Sequence, residues 1–245
     1  MTDRNRIVRA VPTLAINNRK HNLLFYTQVM GMTNLLEDAG FTSLGDKTRL
    51  EKLILEEVPS NRARKVEGPK KLKKICIKVA NPREIDSLLA TEQKGVTFYK
   101  GEHGFAFEAL SPEGDCFLLH SEDTLDTLVA VASIEDIEPL EDFQGLTEFE
   151  VESLQLNVSA LSKADFYQNL AGSSDFLAFE EASGADLDIE ARKTWDLAAI
   201  HWMVDSIDVA DLEQQFVGKE NFVPKSRKFF VTKDESQIEV WVESV

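Results

Sequence analysis

The sequence is poor in the residues that usually announce a chemistry. Its 245 residues include two cysteines, Cys76 and Cys116, too few for a disulfide framework and in keeping with a reducing compartment. There are four histidines, His21, His103, His120 and His201, and none sits in an HExxH pattern. No GxSxG elbow is present, and neither cysteine has a cysteine-protease context, so peptide hydrolysis has no motif to rest on. No apolar run approaches the roughly 20 residues of a membrane helix. The N-terminal MTDRNRIVRAVPT lacks the continuous apolar stretch of a secretory signal. These absences lead to an expectation of a cytoplasmic protein without a membrane partner, reaching a surface or the outside only by non-classical release.

Basic residues are scarce after residue 80. Residues 1–80 hold sixteen Lys and Arg against eight Asp and Glu, and residues 81–245 hold eleven against thirty-five. The cluster Arg62–Lys78 has the composition of an anion-binding patch. A net charge of -16 repels polyanions, so the expected role of the cluster is a solvated loop entering a strand, with no nucleic-acid partner.

What is present is a repeat. Residues 11–32, VPTLAINNRKHNLLFYTQVMGM, read as an alternating strand, a turn capped by Asn18, and an amphipathic helix stopped at Gly31. Leu14 and Ile16 should face a helix-covered core, and Val11, Thr13 and Ala15 the opposite side. Three short strands follow, at 33–37, 41–44 and 50–57. The order recurs with a strand at 72–79, a helix starting at Pro82, and strands at 97–100, 105–110 and 116–120. A third, shortened unit has a strand at 153–158, a helix near Phe166–Tyr167, and candidate strands at 176–181 and 187–192. The fourth has a strand at 200–204, a helix at 209–216, and a hairpin of 228–232 with 238–242. Between the halves, residues 121–152 carry eleven acids and no base, which reads as a connection. The expected organisation is 1–122 as an N-terminal pair of units, 123–150 as an acidic linker, and 151–245 as an abbreviated C-terminal pair.

A tandem strand–helix–three-strand repeat resembles the vicinal oxygen chelate superfamily, the glyoxalase, bleomycin-resistance and ring-cleaving dioxygenase group. The resemblance is carried by Leu14–Ile16 with Phe25–Met32, by Phe107–Leu119 with its Ser-Pro-Glu-Gly-Asp turn, by Leu156–Val158 with Phe166–Tyr167, and by Ile238–Trp241. It implies an α+β fold of βαβββ modules forming cupped mixed sheets, with the second half abbreviated. The chain also looks like the streptococcal CppA family, whose name implies a proteinase degrading complement component three; the family supplies no catalytic motif to carry over.

In metal-using members of that superfamily, a His on a unit's first strand and a Glu on its last hold a divalent ion. The corresponding His positions here fall at Val11, Lys74, Ser153 and Ala199. The Glu position of the second unit falls at Leu118, Glu239 occupies that of the fourth, and Glu56 or Glu57 lies near that of the first. No metal and no cofactor are therefore expected. Period-two alternation should turn Thr13, Lys74, Cys76, Lys78, Cys116 and His120 into a first cup, and Gln155, Asn157, His201, Met203, Glu239 and Trp241 into a second. Cys76 with His120 could act as nucleophile and base, or the cysteines are small buried hydrophobes with His120 in solvent at a strand end. His201 and Glu239 could run acid–base chemistry or form a hydrogen-bonded pair. The readings left by the sequence are a metal-free small-molecule binder or isomerase-type enzyme, a complement-degrading proteinase, and a non-enzymatic interaction protein, with a homodimer among its candidate states.

Overall fold

A computed structural model describes residues 5–91 and 95–245. The first unit is β1 (Ile7–Ile16), α1 (Arg19–Leu24), β2 (Thr33–Asp38), β3 (Phe41–Gly45) and β4 (Glu51–Glu57). Asn18 caps α1 by accepting the His21 N–H at 2.9 Å. The helix then widens into a π turn over Phe25–Val29, which lets Phe25 and Tyr26 both reach Phe117, with ring centroids 6.0 and 5.5 Å away. Gly31 ends the helix at φ +66°, where a Cβ would lie 3.0 Å from a Leu88 methyl.

The second unit is β5 (Leu72–Val79), α2 (Pro82–Leu89), β6 (Thr97–Lys100), β7 (Phe105–Leu110) and β8 (Cys116–His120), with Pro82 in the first turn of α2. The acidic connection contributes β9 (Val129–Val131) to the free side of β6 and packs along α2. There Arg83 donates to the Glu138 carbonyl and Glu84 accepts from the Thr147 N–H and hydroxyl. The third unit keeps only β10 (Phe149–Val158) and β11 (Leu177–Glu181), joined by a 3-10 turn, Leu161–Asn169. The fourth is β12 (Leu197–Val204), α3 (Val209–Gln215), β13 (Asn221–Phe222), β14 (Phe229–Lys233) and β15 (Glu239–Ser244). Residues 187–192, expected as a strand, instead belong to an irregular strap between β11 and β12. An Asp186–Arg64 ion pair and the Ile189 carbonyl, which accepts from Lys71, hold that strap in place.

Two mixed sheets result, ordered β13-β14-β15-β12-β1-β4-β3-β2 and β11-β10-β5-β8-β7-β6-β9. Both are open, with free edges. The first therefore joins units one and four and the second joins units two and three, whereas the expectation was a pairing within each half of the chain. Alternation sets which face of a strand is buried but not which first strand it pairs with. β1 takes β12 antiparallel, with Val11 opposite His201, and β5 takes β10.

The inner faces of both sheets and the helices share one core that includes Leu14, Ile16, Tyr26, Ile75, Phe117 and Trp202. Buried carboxylates close the seam between the sheets. Asp196, at the entry to β12, accepts the Lys71 and Leu72 N–H groups from β5 at 2.6 and 3.2 Å, and Asp46 accepts the Phe149 N–H at 2.9 Å. Much of the basic cluster is taken up by ion pairs: Arg64 with Asp186, Lys70 with Asp115, Lys73 with Glu180, Lys74 with Glu108, and Lys78 with Asp123. Among the described residues no helix is long and apolar enough to cross a membrane.

Candidate functional site

The outer face of the first sheet is built by the odd-numbered residues of β1 and β15 and by their neighbours on β4 and β12. Thr13 lies opposite Ala199 on one side and Ile54 on the other. Ala199 neighbours Glu239, and Ala15 neighbours Glu56. Small side chains at the centre thus leave a shallow floor between two glutamates, each from the last strand of its own unit. Across this floor reaches Arg192 of the strap. Its Nε lies 2.7 and 2.6 Å from the two Glu56 oxygens, while Nη1 and Nη2 donate to Glu239 at 2.6 and 3.1 Å. The second contact is a fork-to-fork bidentate pair.

Burial alone would raise the Glu239 carboxyl, but the Arg192 hydrogen bonds and charge outweigh it and hold it below the usual range. The two glutamates in turn overcome burial and hold the Arg192 guanidinium up. Arg192 sits at φ +67°, a backbone region costly for a side chain with a Cβ. On β1, between Ala199 and Ile54, the Thr13 hydroxyl is buried and has no hydrogen-bond partner among the described residues.

Beside the clamp the strands carry an aromatic row. Trp241 donates to Glu239 at 3.3 Å and stacks on His201 with centroids 5.2 Å apart and planes 20° apart. Phe229 lies against its other flank and Phe222 beyond that. A pocket of about 190 Å³ opens here, with Glu220, Phe222, Val231, Lys233, Glu239 and Trp241 among its lining residues. The carboxylate partner of His201 is Glu243, 2.6 Å from Nδ1, and not Glu239, which Arg192 holds. Met203 lies farther along the face, opposite Arg9.

The outer face of the second sheet holds the other expected residues. Lys74 pairs with Glu108 at 2.5 Å. Burial would lower its ammonium, yet the Glu108 hydrogen bond and charge keep it above the ordinary value. Cys76 is buried, and burial pushes its thiol up despite a hydrogen bond from Ser153 and the charge of Lys74. Cys116 is pushed up to about 12, by burial first and the Glu108 carboxylate second. Neither thiol is poised as a thiolate nucleophile.

His120 is fully buried rather than in solvent. Its Nδ1 accepts the Glu122 N–H at 3.2 Å, and Nε2 lies 3.0 Å from Glu152. Gln155 faces the Cys76 sulfur at 4.0 Å, and Asn157 donates to the Lys70 carbonyl. Lys78 makes an exposed pair with Asp123.

Thr13 therefore joins His201, Met203, Glu239 and Trp241 on one face, while Gln155 and Asn157 join Lys74, Cys76, Lys78, Cys116 and His120 on the other. Sequence reasoning missed Arg192, because a loop residue has no periodicity to place it. It also left Glu56 and Glu57 unresolved; the structure gives Glu56 to Arg192 and Glu57 to Arg19. A chelated metal does not fit the first face. Val11 and Ala199 offer no donor, both glutamates are occupied by a guanidinium, and no group of three or more His, Cys, Asp or Glu among the described residues is placed to hold an ion.

Comparisons with known proteins agree with this architecture. A crystal structure of the cppA protein from Streptococcus pneumoniae TIGR4 superposes with a TM-score of 0.87 at 44% identity, covering 98% of this chain and 99% of that one. Glyoxalase I from Zea mays superposes with a TM-score of 0.54 at 13% identity, covering 98% and 92%; its E144Q mutant gives 0.57 at 14%, covering 98% and 93%. These last two likenesses establish the glyoxalase-like fold. A search of curated protein sequences finds no match. The CppA N-terminal family model matches residues 9–131 and the CppA C-terminal model matches residues 146–242. The chain belongs to the CppA family, built on a glyoxalase-like scaffold of repeated βαβββ units.

Proposed function

We propose that the chain is a metal-independent binding protein whose working surface is the outer face of the first sheet. The observation that carries this reading is the Arg192 guanidinium clamped between Glu56 and Glu239. A guanidinium occupies both carboxylates on this face, and a polar, aromatic-walled pocket opens beside it. The ligand is then gripped by side chains and by aromatic surface, without Lewis-acid chemistry. A thermal-shift panel of small organic ligands, repeated on Glu56→Gln and Trp241→Ala, tests it. The expected result is a stabilising ligand whose effect is lost in both variants; a ligand unaffected by either would place the site elsewhere.

Family membership brings a second reading, degradation of complement component three, which is the role in the family's name. Among the described residues burial holds both thiols protonated and His120 is enclosed with Glu152, so neither cysteine supports it as an activated nucleophile. Incubating purified complement component three with wild-type, Cys76→Ala and Glu239→Gln protein, with a chelator lane, decides it. Cleavage abolished by one variant would establish a proteinase and locate its site.

A further inference from the structure

The chemistry of the pocket beside the clamp is specific. Glu220 and Glu239 supply two carboxylates, and Trp241 and Phe222 supply aromatic faces, with Phe222 59% exposed. Among the described residues Glu220 forms no ion pair, and Lys233 is the one cation among those lining the pocket. Carboxylates set against aromatic planes recognise a planar delocalised cation better than an ammonium, because a guanidinium stacks and forks at once. The protein supplies its own example: Arg192, with a backbone in the left-handed region, already places a guanidinium on Glu239. The pocket opens beside β13, a two-residue edge strand of the first sheet with one side unpaired, a place where an extended chain can run.

We propose that this pocket binds an arginine side chain of a flexible peptide segment, and that Arg192 is its internal competitor for Glu239. The inference rests on the reading of this face as the binding surface and names the ligand class. Binding transfers part of the Glu239 carboxylate from Arg192 to the incoming guanidinium, stacks the latter on Trp241, and lays the flanking peptide along β13. The volume, about 190 Å³, suits one long side chain and not a folded surface.

Trp241 reports on the event, because its indole N–H touches Glu239. The experiment titrates full-length protein with N-acetyl-arginine amide and with a short arginine-containing peptide, following tryptophan emission. N-acetyl-lysine amide serves as control and Trp241→Phe identifies the signal. The expected result is a saturable change absent in Trp241→Phe, at least about tenfold weaker for lysine, tightened about tenfold in Arg192→Ala and lost in Glu239→Gln and Glu220→Gln. Circular dichroism of each variant separates loss of binding from loss of fold.

Equal binding of arginine and lysine, or no gain in Arg192→Ala, would overturn the proposal. If arginine fails while a neutral or anionic compound from the panel binds and is lost in Trp241→Ala, the ligand class is wrong and the binding surface stands. If nothing from either set responds to substitutions on this face, both readings fall.

Discussion

The outer face of the first sheet gathers two glutamates from symmetry-related strands around one guanidinium, whereas the corresponding face of the second sheet carries a lysine–glutamate pair, two protonated thiols and an enclosed histidine. The difference follows from completeness. Units one and four both retain a last strand, β4 and β15, and each contributes its carboxylate. In the second sheet the third unit stops at β11, and the last strand of the second unit, β8, carries no carboxylate. The strap from β11 to β12 then crosses to the first sheet and delivers Arg192. The abbreviated unit thus removes a site from one face and supplies the missing cation to the other.

Removing Arg192 should break this contrast most strongly. Arg192→Ala leaves Glu56 and Glu239 without the cation they share, and about 2–3 kcal/mol of stability is expected to go at pH 7, discounted for the partial exposure of the guanidinium. The pH dependence has a definite sign. Arg192 depresses the folded-state pKa of Glu239, so its contribution is present above the ordinary glutamate value of about 4.3 and lost as pH falls through the depressed one. Denaturant unfolding of both proteins should show the gap at pH 7 and its narrowing below about pH 4.

A smaller loss is expected on the second face. Lys74→Ala removes a single half-buried pair and should cost about 1 kcal/mol in the same assay, without changing ligand binding on the first face. A loss as large as that of Arg192→Ala would mean the two faces are equally organised around charge.

The smallest effect concerns the thiols. With Cys116 pushed up to about 12, only about one thiol in ten thousand is ionised at pH 8. Iodoacetamide labelling of Cys116 should therefore run far slower than for a free cysteine, and Cys116→Ala should bind ligand as wild type does. Rapid labelling at neutral pH would show that burial and Glu108 do not hold the Cys116 thiol protonated.

Much of this was legible in the sequence. Alternation in β1 separated Leu14 and Ile16 from Thr13 and Ala15 correctly, Asn18 and Pro82 marked their helix starts, and the order of strands gave the βαβββ units and the shortened third. What alternation cannot carry is the partner of each first strand, because a face is defined within a strand and a neighbour is chosen by the whole fold. That gap moved Thr13 to the company of His201 and Glu239, and Gln155 to that of Cys76. The pairing of His201 with Glu243 instead of Glu239 was hidden for a related reason. Residues 239, 241 and 243 share one face, and only the position of Arg192, on an aperiodic strap, decides which glutamate is free for the histidine.

The central claim, that a guanidinium and not a metal organises the first face, is tested most directly by titrating chelator-stripped wild-type protein with Mn²⁺, Ni²⁺ and Zn²⁺ while following thermal unfolding, beside Glu239→Gln. The account predicts no saturable stabilisation of either protein by any ion. Saturable stabilisation of the wild type that disappears in Glu239→Gln would contradict it.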